Sequence, residues 1–289
     1  MIVVTGATGN IGRALVPALA AAGHRVTATS RGCASVDLPA GVTHCAADLA
    51  DLAALRTAFD NAEALFLMLN GEQLFHGPAP DRVLDTIADS GINRVVMLSS
   101  QAVSARPSSI GHQRMRDFEA ALRDSILDWT ILRPGGFASN ALAWARSVRE
   151  TRTVTAPFGD VAVRQIDPVD IAEVAAHVLV EPGHRHATYV LNGPELITPR
   201  QQTAAIGDAL GVDVRFVELS EAEARDRLSG LMPELRPEIT PADVTDEVLA
   251  LLSEPNSEEL APSPDVERIL GRTPRRFLDW VRRNISAFA

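Results

Sequence analysis

Three glycines near the start of the chain have a spacing suited to binding a phosphate group. Gly6, Gly9 and Gly12 lie in the segment TGATGNIG, which directly follows the apolar run MIVV. In such a motif the first glycine permits a tight turn, the second lets the backbone approach a pyrophosphate, and the third lets a helix pack closely. The pyrophosphate would sit at the helix N-terminus, where unpaired N–H groups favour an anion. The motif therefore predicts a dinucleotide-binding site.

The residues that end the second apolar run indicate which dinucleotide binds. Sites for NAD usually place an acidic residue here, which holds the 2'-hydroxyl of the ribose. In this chain the run ends in Ser30 and Arg31, and the first acidic residue after it is Asp37. A guanidinium group offers positive charge and forked donors, which suit a 2'-phosphate. The sequence favours NADP(H) over NAD(H), with a solvated surface arginine as the alternative role of Arg31.

A candidate catalytic residue lies in the segment SSIGHQRMRDFEAAL, where many nicotinamide-dependent reductases have a Tyr-x-x-x-Lys pair. Here the helix offers His112 and Arg116 instead. At 100° per residue, His112, Arg116 and Glu119 share one helix face that borders the apolar stripe and could look into a cofactor cleft. Histidine is the best available proton donor, since its ordinary pKa lies near working pH. The alternatives are that His112 is an ordinary helix N-terminal residue or that it orients the cofactor ribose.

The missing pair limits the chemistry that the chain can perform. The sequence contains no lysine, which excludes Schiff-base chemistry and a Tyr/Lys couple. Reduction of an ordinary ketone builds a basic alkoxide and benefits from a positioned acid. Reduction of a quinone leaves an anion delocalised over a ring, so hydride transfer needs chiefly alignment of donor and acceptor. The composition therefore disfavours an alcohol dehydrogenase.

Short apolar runs alternate with helical patterns over the first two thirds of the chain. The runs are continuously apolar, as expected for strands covered by helices on both faces. Strands are predicted at 1–4, 24–30, 42–47, 64–69, 94–100 and 129–133, and helices at 11–22, 51–59, 80–90 and 111–124. The predicted fold class is α/β, a Rossmann-type, doubly wound parallel sheet.

The pattern loosens after residue 135. We predict a helix at 138–149, a strand at 161–166, a helix at 167–180 with Asp170 at its N-cap, and a strand at 187–192. From 193 on the pattern is mainly helical, with a loop at 254–265 before a final helix in TPRRFLDWVRRNI. The predicted domains are 1–192, a cofactor-binding domain, and 193–289, a smaller cap; 136–158 could belong to either.

Composition narrows the possible partners. The formal net charge of −10 argues against direct nucleic-acid binding, which relies on basic residues at the phosphates. Cys33 and Cys45 have no metal-binding spacing and are too few for a disulfide framework, so no metal is expected. The opening MIVVTG leaves no room for a signal peptide, and no apolar run is long enough to span a bilayer. A cytoplasmic location without membrane partners is expected.

The quoted motifs resemble those of the NmrA-like, atypical members of the short-chain dehydrogenase/reductase superfamily. The likeness covers essentially the full length and rests on TGATGNIG, Ser30-Arg31, LSS (98–100), WTILRPGGFASN (129–140) and GRTPRRFLDW (271–280). It implies a Rossmann-type domain and a small helical cap with NADP(H) between them. The family includes quinone-type reductases and regulatory proteins that sense the cofactor.

Open parallel sheets bind ligands at the carboxyl ends of their strands, which locates the other candidate residues. Asp48 could approach the adenine or cap the helix near Asp51. Phe137 and Trp144 could wall a flat acceptor or simply pack the cap. Ser100, Asn70 and Gln73 also lie near the expected cleft. The candidate cofactor-binding residues are Gly6, Thr8, Gly9, Asn10, Ile11, Gly12, Ser30, Arg31, Asp48, Leu49, Leu67, Met68, Leu69, Ser99, Pro134 and Phe137.

The sequence leaves three hypotheses about the function of the chain. The first is an NADP(H)-dependent oxidoreductase that acts on a quinone or another small conjugated acceptor. The second is a non-catalytic NADP(H)-sensing regulatory protein that acts through a protein partner. A sugar epimerase ranks last, because it needs the Tyr/Lys chemistry. The sequence leaves the substrate and any homo-oligomer undefined.

Overall fold

A seven-stranded parallel sheet forms the centre of the molecule. The computed structural model describes residues 1–32, 38–69, 71–230 and 240–289. The strands are β1 (Ile2–Val4), β2 (Val26–Ser30), β3 (Val42–Ala46), β4 (Ala64–Met68), β5 (Arg94–Leu98), β6 (Asp128–Pro134), β7 (Gly136–Phe137), β8 (Thr153–Ala156), β9 (Val163–Ile166), β10 (Ala187–Leu191), β11 (Leu196–Ile197) and β12 (Arg215–Glu218).

Helices connect these strands and build most of the C-terminal part. They are α1 (Gly12–Ala21), α2 (Leu52–Phe59), α3 (Pro80–Asp89), α4 (Ala102–Ala105), α5 (Gln113–Asp124), α6 (Ala145–Thr151), α7 (Pro168–Val180), α8 (Pro199–Leu210), α9 (Glu221–Ser229), α10 (Pro241–Ser253), α11 (Ser257–Leu260), α12 (Asp265–Leu270) and α13 (Phe277–Arg283). In the described parts of the chain, 3₁₀ turns cover Gly71–Leu74, Ala138–Trp144 and Ile285–Ala287. No helix among the described residues is long and apolar enough to cross a bilayer.

The order of the central sheet is β10-β6-β5-β4-β1-β2-β3, with every neighbouring pair parallel. Successive residues of a strand enter different core clusters: Val4 of β1 and Phe66 of β4 pack on one face, and Val3 of β1 and Leu65 of β4 pack on the other. Both faces are buried under helices, which explains the continuous apolar runs. The predicted doubly wound Rossmann-type fold is confirmed. The strand order reverses between β1 and β4, where such sheets bind ligands.

Helix α7 begins one turn earlier than its expected cap. Asp167, not Asp170, is the N-cap, and its carboxylate accepts a bond from the Val169 N–H at 2.9 Å. Pro168 occupies the first helical position, where its fixed φ favours the start of a helix. The prediction for Asp170 is therefore wrong. Asp170 is fully buried in the first turn and pairs with Arg272 and Arg275 of the C-terminal segment.

A third core cluster joins chain segments that are far apart in sequence. It contains Val148 and Val154 together with Ile206, Phe277 and Trp280. Two strand pairs connect the same regions, since β8 pairs with β12 and β9 pairs with β11. Helix α12 instead packs on α7 and β10. The division into 1–192 and 193–289 stays a prediction.

A loop was predicted at 254–265. This prediction is wrong in part, because the segment contains the short helix α11. Asn256 caps this helix by accepting bonds from the N–H groups of Glu258 and Glu259. The Glu259 carboxylate in turn accepts a bond from the Asn256 N–H at 2.8 Å. This reciprocal capping box satisfies backbone donors at the start of the helix, and it favours a helical turn within a Pro- and Ser-containing sequence.

Candidate functional site

A cavity of about 320 Å³ lies at the carboxyl ends of β1, β2 and β4, beside the point where the strand order reverses. Several predicted cofactor-binding residues line it together: Gly6, Thr8, Gly9, Ser30, Arg31, Leu49 and Met68. The lining also includes residues that the sequence analysis did not propose as cofactor ligands: Thr5, Thr29, Ala47, Leu55 and Gly71. Gln73, expected near the cleft, lies there as well. We call this space the glycine cleft.

The glycine motif shapes one wall of the glycine cleft. Gly6 has a φ of +64°, in the left-handed region that favours glycine. A Cβ on Gly9 would lie 3.2 Å from the Gly6 carbonyl oxygen, and one on Gly12 would lie 2.6 Å from the Ala7 carbonyl carbon. Helix α1 therefore starts directly against the turn, and among the described residues no side chain caps its N-terminus. Its first N–H groups and the lack of side chains at Gly6 and Gly9 fit a pyrophosphate.

A histidine that the sequence analysis missed stands beside the predicted 2'-phosphate site. His44 of β3 places Nε2 2.8 Å from the Ser30 hydroxyl at the end of β2. Arg31 is exposed at the cleft and makes no ion pair within the described ranges. The role of His44 could have been found from the parallel pairing of β2 with β3, because this pairing brings the His44 and Ser30 side chains together. Ser30 and Arg31 form a polar end of the glycine cleft, and His44 is hydrogen-bonded to Ser30.

Asp48 was expected either to approach the adenine or to cap the helix near Asp51. Helix α2 is capped by Asp51, whose carboxylate accepts bonds from the N–H groups of Ala53 and Ala54. Asp48 is not that cap, and instead accepts a 2.8 Å bond from the Gln73 amide at the cleft. A contact of Asp48 with adenine stays a prediction.

Other predicted cofactor residues lie outside the lining of the glycine cleft. Leu67 and Leu69 enter the core cluster on one face of the sheet, and Ile11 enters the other. Asn10 donates from its amide to the Ser139 hydroxyl at 3.1 Å, which links the glycine motif to the segment after β7. Asn70 lies outside the described residues.

The residues after β5 and β6 have mainly structural partners. Pro134 is buried, and its carbonyl accepts a bond from the Gln101 N–H at 2.9 Å. Phe137 is half-buried against the first core cluster, and Trp144 packs against the third. These contacts support the packing alternative for both aromatic residues. The proposed cofactor roles of Pro134 and Phe137 stay predictions.

Glu119 forms a buried charge network instead of facing a cleft. Its side chain is 1% exposed and accepts bonds from Ser99 at 2.5 Å and from Arg133 at 3.0 and 2.6 Å. Arg123 adds an ion pair at 2.9 Å. Burial alone would raise the pKa of the Glu119 carboxyl, but the bonds from Arg133 and Ser99 and the arginine charges outweigh burial and lower it. The Ser99 hydroxyl is directed to Glu119.

His112 lies in a different cavity from the predicted cofactor residues. This space of about 510 Å³ is lined by residues of the segment 105–112 and of α10, and we call it the α10 cavity. The 3₁₀ turn after β4 stands between the two cavities, with Gln73 in the glycine cleft and Leu74 in the α10 cavity. The predicted face of α5 is therefore divided: His112 reaches the α10 cavity, whereas Arg116 binds the Ser109 carbonyl.

Hydrogen bonds fix the His112 ring on one side. Its Nδ1 lies 2.9 Å from the Ser109 hydroxyl, which lies 2.8 Å from Glu247 Oε2 on α10. The N–H groups of Ile110 and Gly111 also donate to the Glu247 carboxylate, at 2.5 and 2.9 Å. Burial lowers the pKa of His112, so the neutral ring predominates at pH 7.

The chain is similar to known proteins over most or all of its length. A family model described as NAD(P)H-binding matches residues 6–182. The chain is 35% identical over 297 residues to the (4-alkanoyl-5-oxo-2,5-dihydrofuran-3-yl)methyl phosphate reductase of Streptomyces griseus, covering 100% of this chain and 99% of the relative. It is 30% identical over 301 residues to an NAD(P)H azoreductase of Xenophilus azovorans, with the same coverage.

Quinone reductases are also among the similar proteins. Quinone oxidoreductase 2 of Escherichia coli is 29% identical over 227 residues, which cover 77% of this chain and 79% of the relative. The crystal structure of an NADPH-dependent quinone oxidoreductase from Escherichia coli complexed with NADPH has a TM-score of 0.77 at 24% identity, covering 99% of each chain. That of NmrA, a negative transcriptional regulator, has a TM-score of 0.73 at 17% identity, covering 99% of this chain and 95% of NmrA. Each of these two structures has the same fold as this chain.

Proposed function

The chain belongs to the NAD(P)H-binding family matched over residues 6–182, and on this premise we propose that it is an NADPH-dependent reductase of small conjugated acceptors. The glycine cleft carries the proposal: the backbone at Gly6 and Gly9 and the start of α1 would hold the pyrophosphate. When bound, NADPH supplies a hydride. The sheet and the glycine motif would fix the direction in which the cofactor lies across the strand ends.

The relatives together with the sequence support an inference about the acceptor class. The relatives are named for reducing an azo compound, a quinone and an oxo-dihydrofuran phosphate. These substrates share an electron-poor double bond conjugated with a carbonyl group or a ring. Hydride addition to such a bond leaves a delocalised anion that water can protonate, so a chain without lysine can perform it by alignment. We infer that the acceptor is of this kind.

The direct test is NADPH oxidation by the purified full chain with three acceptors: menadione, methyl red and an acyl-substituted butenolide. We expect turnover above the uncatalysed rate with at least one of them, and weaker activity with NADH. Tight NADPH binding without turnover of any acceptor would overturn the reductase proposal and favour a cofactor-sensing role. Absence of NADPH binding would overturn the cofactor assignment itself.

Arg31→Ala tests the preference for the phosphorylated cofactor. Hydrogen bonds to charged groups contribute roughly 1.5–3 kcal/mol, so we expect the Kd for NADPH to rise about 10- to 150-fold. The Kd for NADH should stay nearly constant, since NADH has no 2'-phosphate. Calorimetric titration with both cofactors measures the two values.

Arg82→Ala provides the matched control for that experiment. Arg82 is an exposed arginine on α3 and does not line the glycine cleft. Its removal changes the net charge by the same amount and should leave both affinities unchanged. An equal loss of NADPH and NADH affinity in Arg31→Ala would contradict a 2'-phosphate role.

A further inference from the structure

The α10 cavity has the size and character of a small-molecule site. Its volume of about 510 Å³ falls in the range of known ligand pockets, roughly 300–1,000 Å³. Apolar side chains from three segments form much of its wall, among them Leu74, Phe75, Pro107, Val244 and Leu251. A ligand that fills it would therefore need an apolar body.

His112 and Glu247, which both line this cavity, are joined through Ser109 by hydrogen bonds with a defined direction. Two backbone N–H groups donate to Glu247, so its carboxylate acts as an acceptor. Burial would raise the pKa of Glu247, but the bonds from Gly111, Ile110 and Ser109 outweigh burial and lower it. The carboxylate is ionised at neutral pH.

Ser109 has one hydroxyl hydrogen, and its direction settles the position of the proton on the His112 ring. If Ser109 donated to His112, its lone pairs would face the carboxylate oxygen 2.8 Å away, which is repulsive. The hydroxyl therefore donates to Glu247 and accepts a bond from His112 Nδ1–H at 2.9 Å. The neutral ring carries its proton on Nδ1, and Nε2 carries a lone pair.

The lone pair on Nε2 is available to a ligand. Within the described part of the chain, no hydrogen-bond partner reaches His112 Nε2. Four charged groups act on the ring: Glu247 of α10, Arg116 of α5, Arg106 after α4 and Glu259 of α11. The arginines and the carboxylates oppose each other, and burial keeps the ring neutral. This arrangement argues against His112 as a proton donor at neutral pH.

We propose that the α10 cavity binds an apolar molecule carrying one O–H or N–H group, which donates a hydrogen bond to Nε2 of His112. A ligand with only a carbonyl or ether oxygen would face the Nε2 lone pair with its own, and would bind more weakly. Of the residues that the structure describes, none lines both the glycine cleft and the α10 cavity. A titration without NADPH measures this binding, so its outcome is separate from that of the turnover assay.

The test compares β-naphthol with its methyl ether as probes of the full chain by calorimetric titration. The two have similar apolar bodies, but only the naphthol can donate. We expect β-naphthol to bind about tenfold or more tightly, the range of one hydrogen bond to a buried acceptor. His112→Phe keeps an aromatic ring without the acceptor and should bring the two affinities together. Equal affinities in the native protein, or no binding of either probe, would overturn the proposal.

Ser108→Ala is the matched control, since it removes an exposed hydroxyl from the lining of the same cavity. It should keep the preference for β-naphthol. Nitrogen-15 NMR of the histidine side chains gives a second test that needs no folded variant at position 112. We expect the His112 ring to be protonated at Nδ1 and bare at Nε2, and to shift its Nε2 resonance on addition of β-naphthol. A proton on Nε2 in the neutral ring would refute the assignment.

Discussion

Gly12→Ala is expected to abolish measurable NADPH binding and to lower the free energy of unfolding by about 1–3 kcal/mol. The added Cβ would meet the backbone of the preceding turn, 2.5 Å from the Ala7 Cα and 2.6 Å from its carbonyl carbon. These are main-chain atoms, so relief requires α1 to move away from the turn. The N–H groups that would hold the pyrophosphate move with it. NADPH titration and chemical denaturation without cofactor measure the two effects.

Gly230→Ala is the matched control for that substitution. Gly230 ends α9 with an ordinary φ of −71°, and a Cβ there would have its nearest neighbours at 3.7 Å. This change should alter neither NADPH affinity nor stability appreciably. If Gly12→Ala bound NADPH with the native Kd, the glycine cleft would not be the pyrophosphate site.

Glu119→Ala is expected to destabilise the fold by about 3 kcal/mol, at the lower end of values for breaking a buried ion pair. The substitution leaves Arg133, which is 16% exposed, without its carboxylate, and leaves the Ser99 hydroxyl without its acceptor. Denaturant unfolding of the cofactor-free protein measures the loss. Glu150→Ala removes the partner of Arg146 from an exposed pair on α6, and should cost less than about 0.5 kcal/mol.

The effect of Glu119 should depend on pH in a defined direction. Its pKa is lower in the folded chain than the value of about 4.3 in an unfolded one. The stabilisation is thus fully present above pH 4.3 and is lost as the pH falls through the folded value. The difference between native protein and Glu119→Ala should narrow in acid. A difference that stayed constant down to low pH would show that lost packing, and not charge, causes the effect.

The central fold and the family could be predicted because their signals are local. Continuous apolar runs, alternating helical patterns and one glycine motif specify a doubly wound sheet, and the structure confirms that class. The resemblance to NmrA-like reductases rested on short segments, and the family match over residues 6–182 bears it out. The start of α7 was misplaced because a proline at the first helical position outweighed the position of Asp170.

The side-chain partners in the candidate sites could not be predicted, because they are distant in sequence. His44 meets Ser30 only when β2 and β3 pair, and Ser109 meets Glu247 across 138 positions. The helix-face argument placed Glu119 correctly at the border of the core. It could not show that Arg133 of β6 lies beside Glu119 and carries the opposite charge.

The pairing of β8 with β12 and of β9 with β11 has a consequence for folding during protein synthesis. The ribosome releases the chain from its N-terminus, so the central sheet can close once Leu191 of β10 has emerged. At that moment β8 has no partner, and Val148 and Val154 lack the cover that Phe277 and Trp280 later provide. A nascent chain that has emerged as far as Leu191 therefore exposes this apolar surface while about ninety further codons are translated. Such a chain is expected to bind a chaperone during that time.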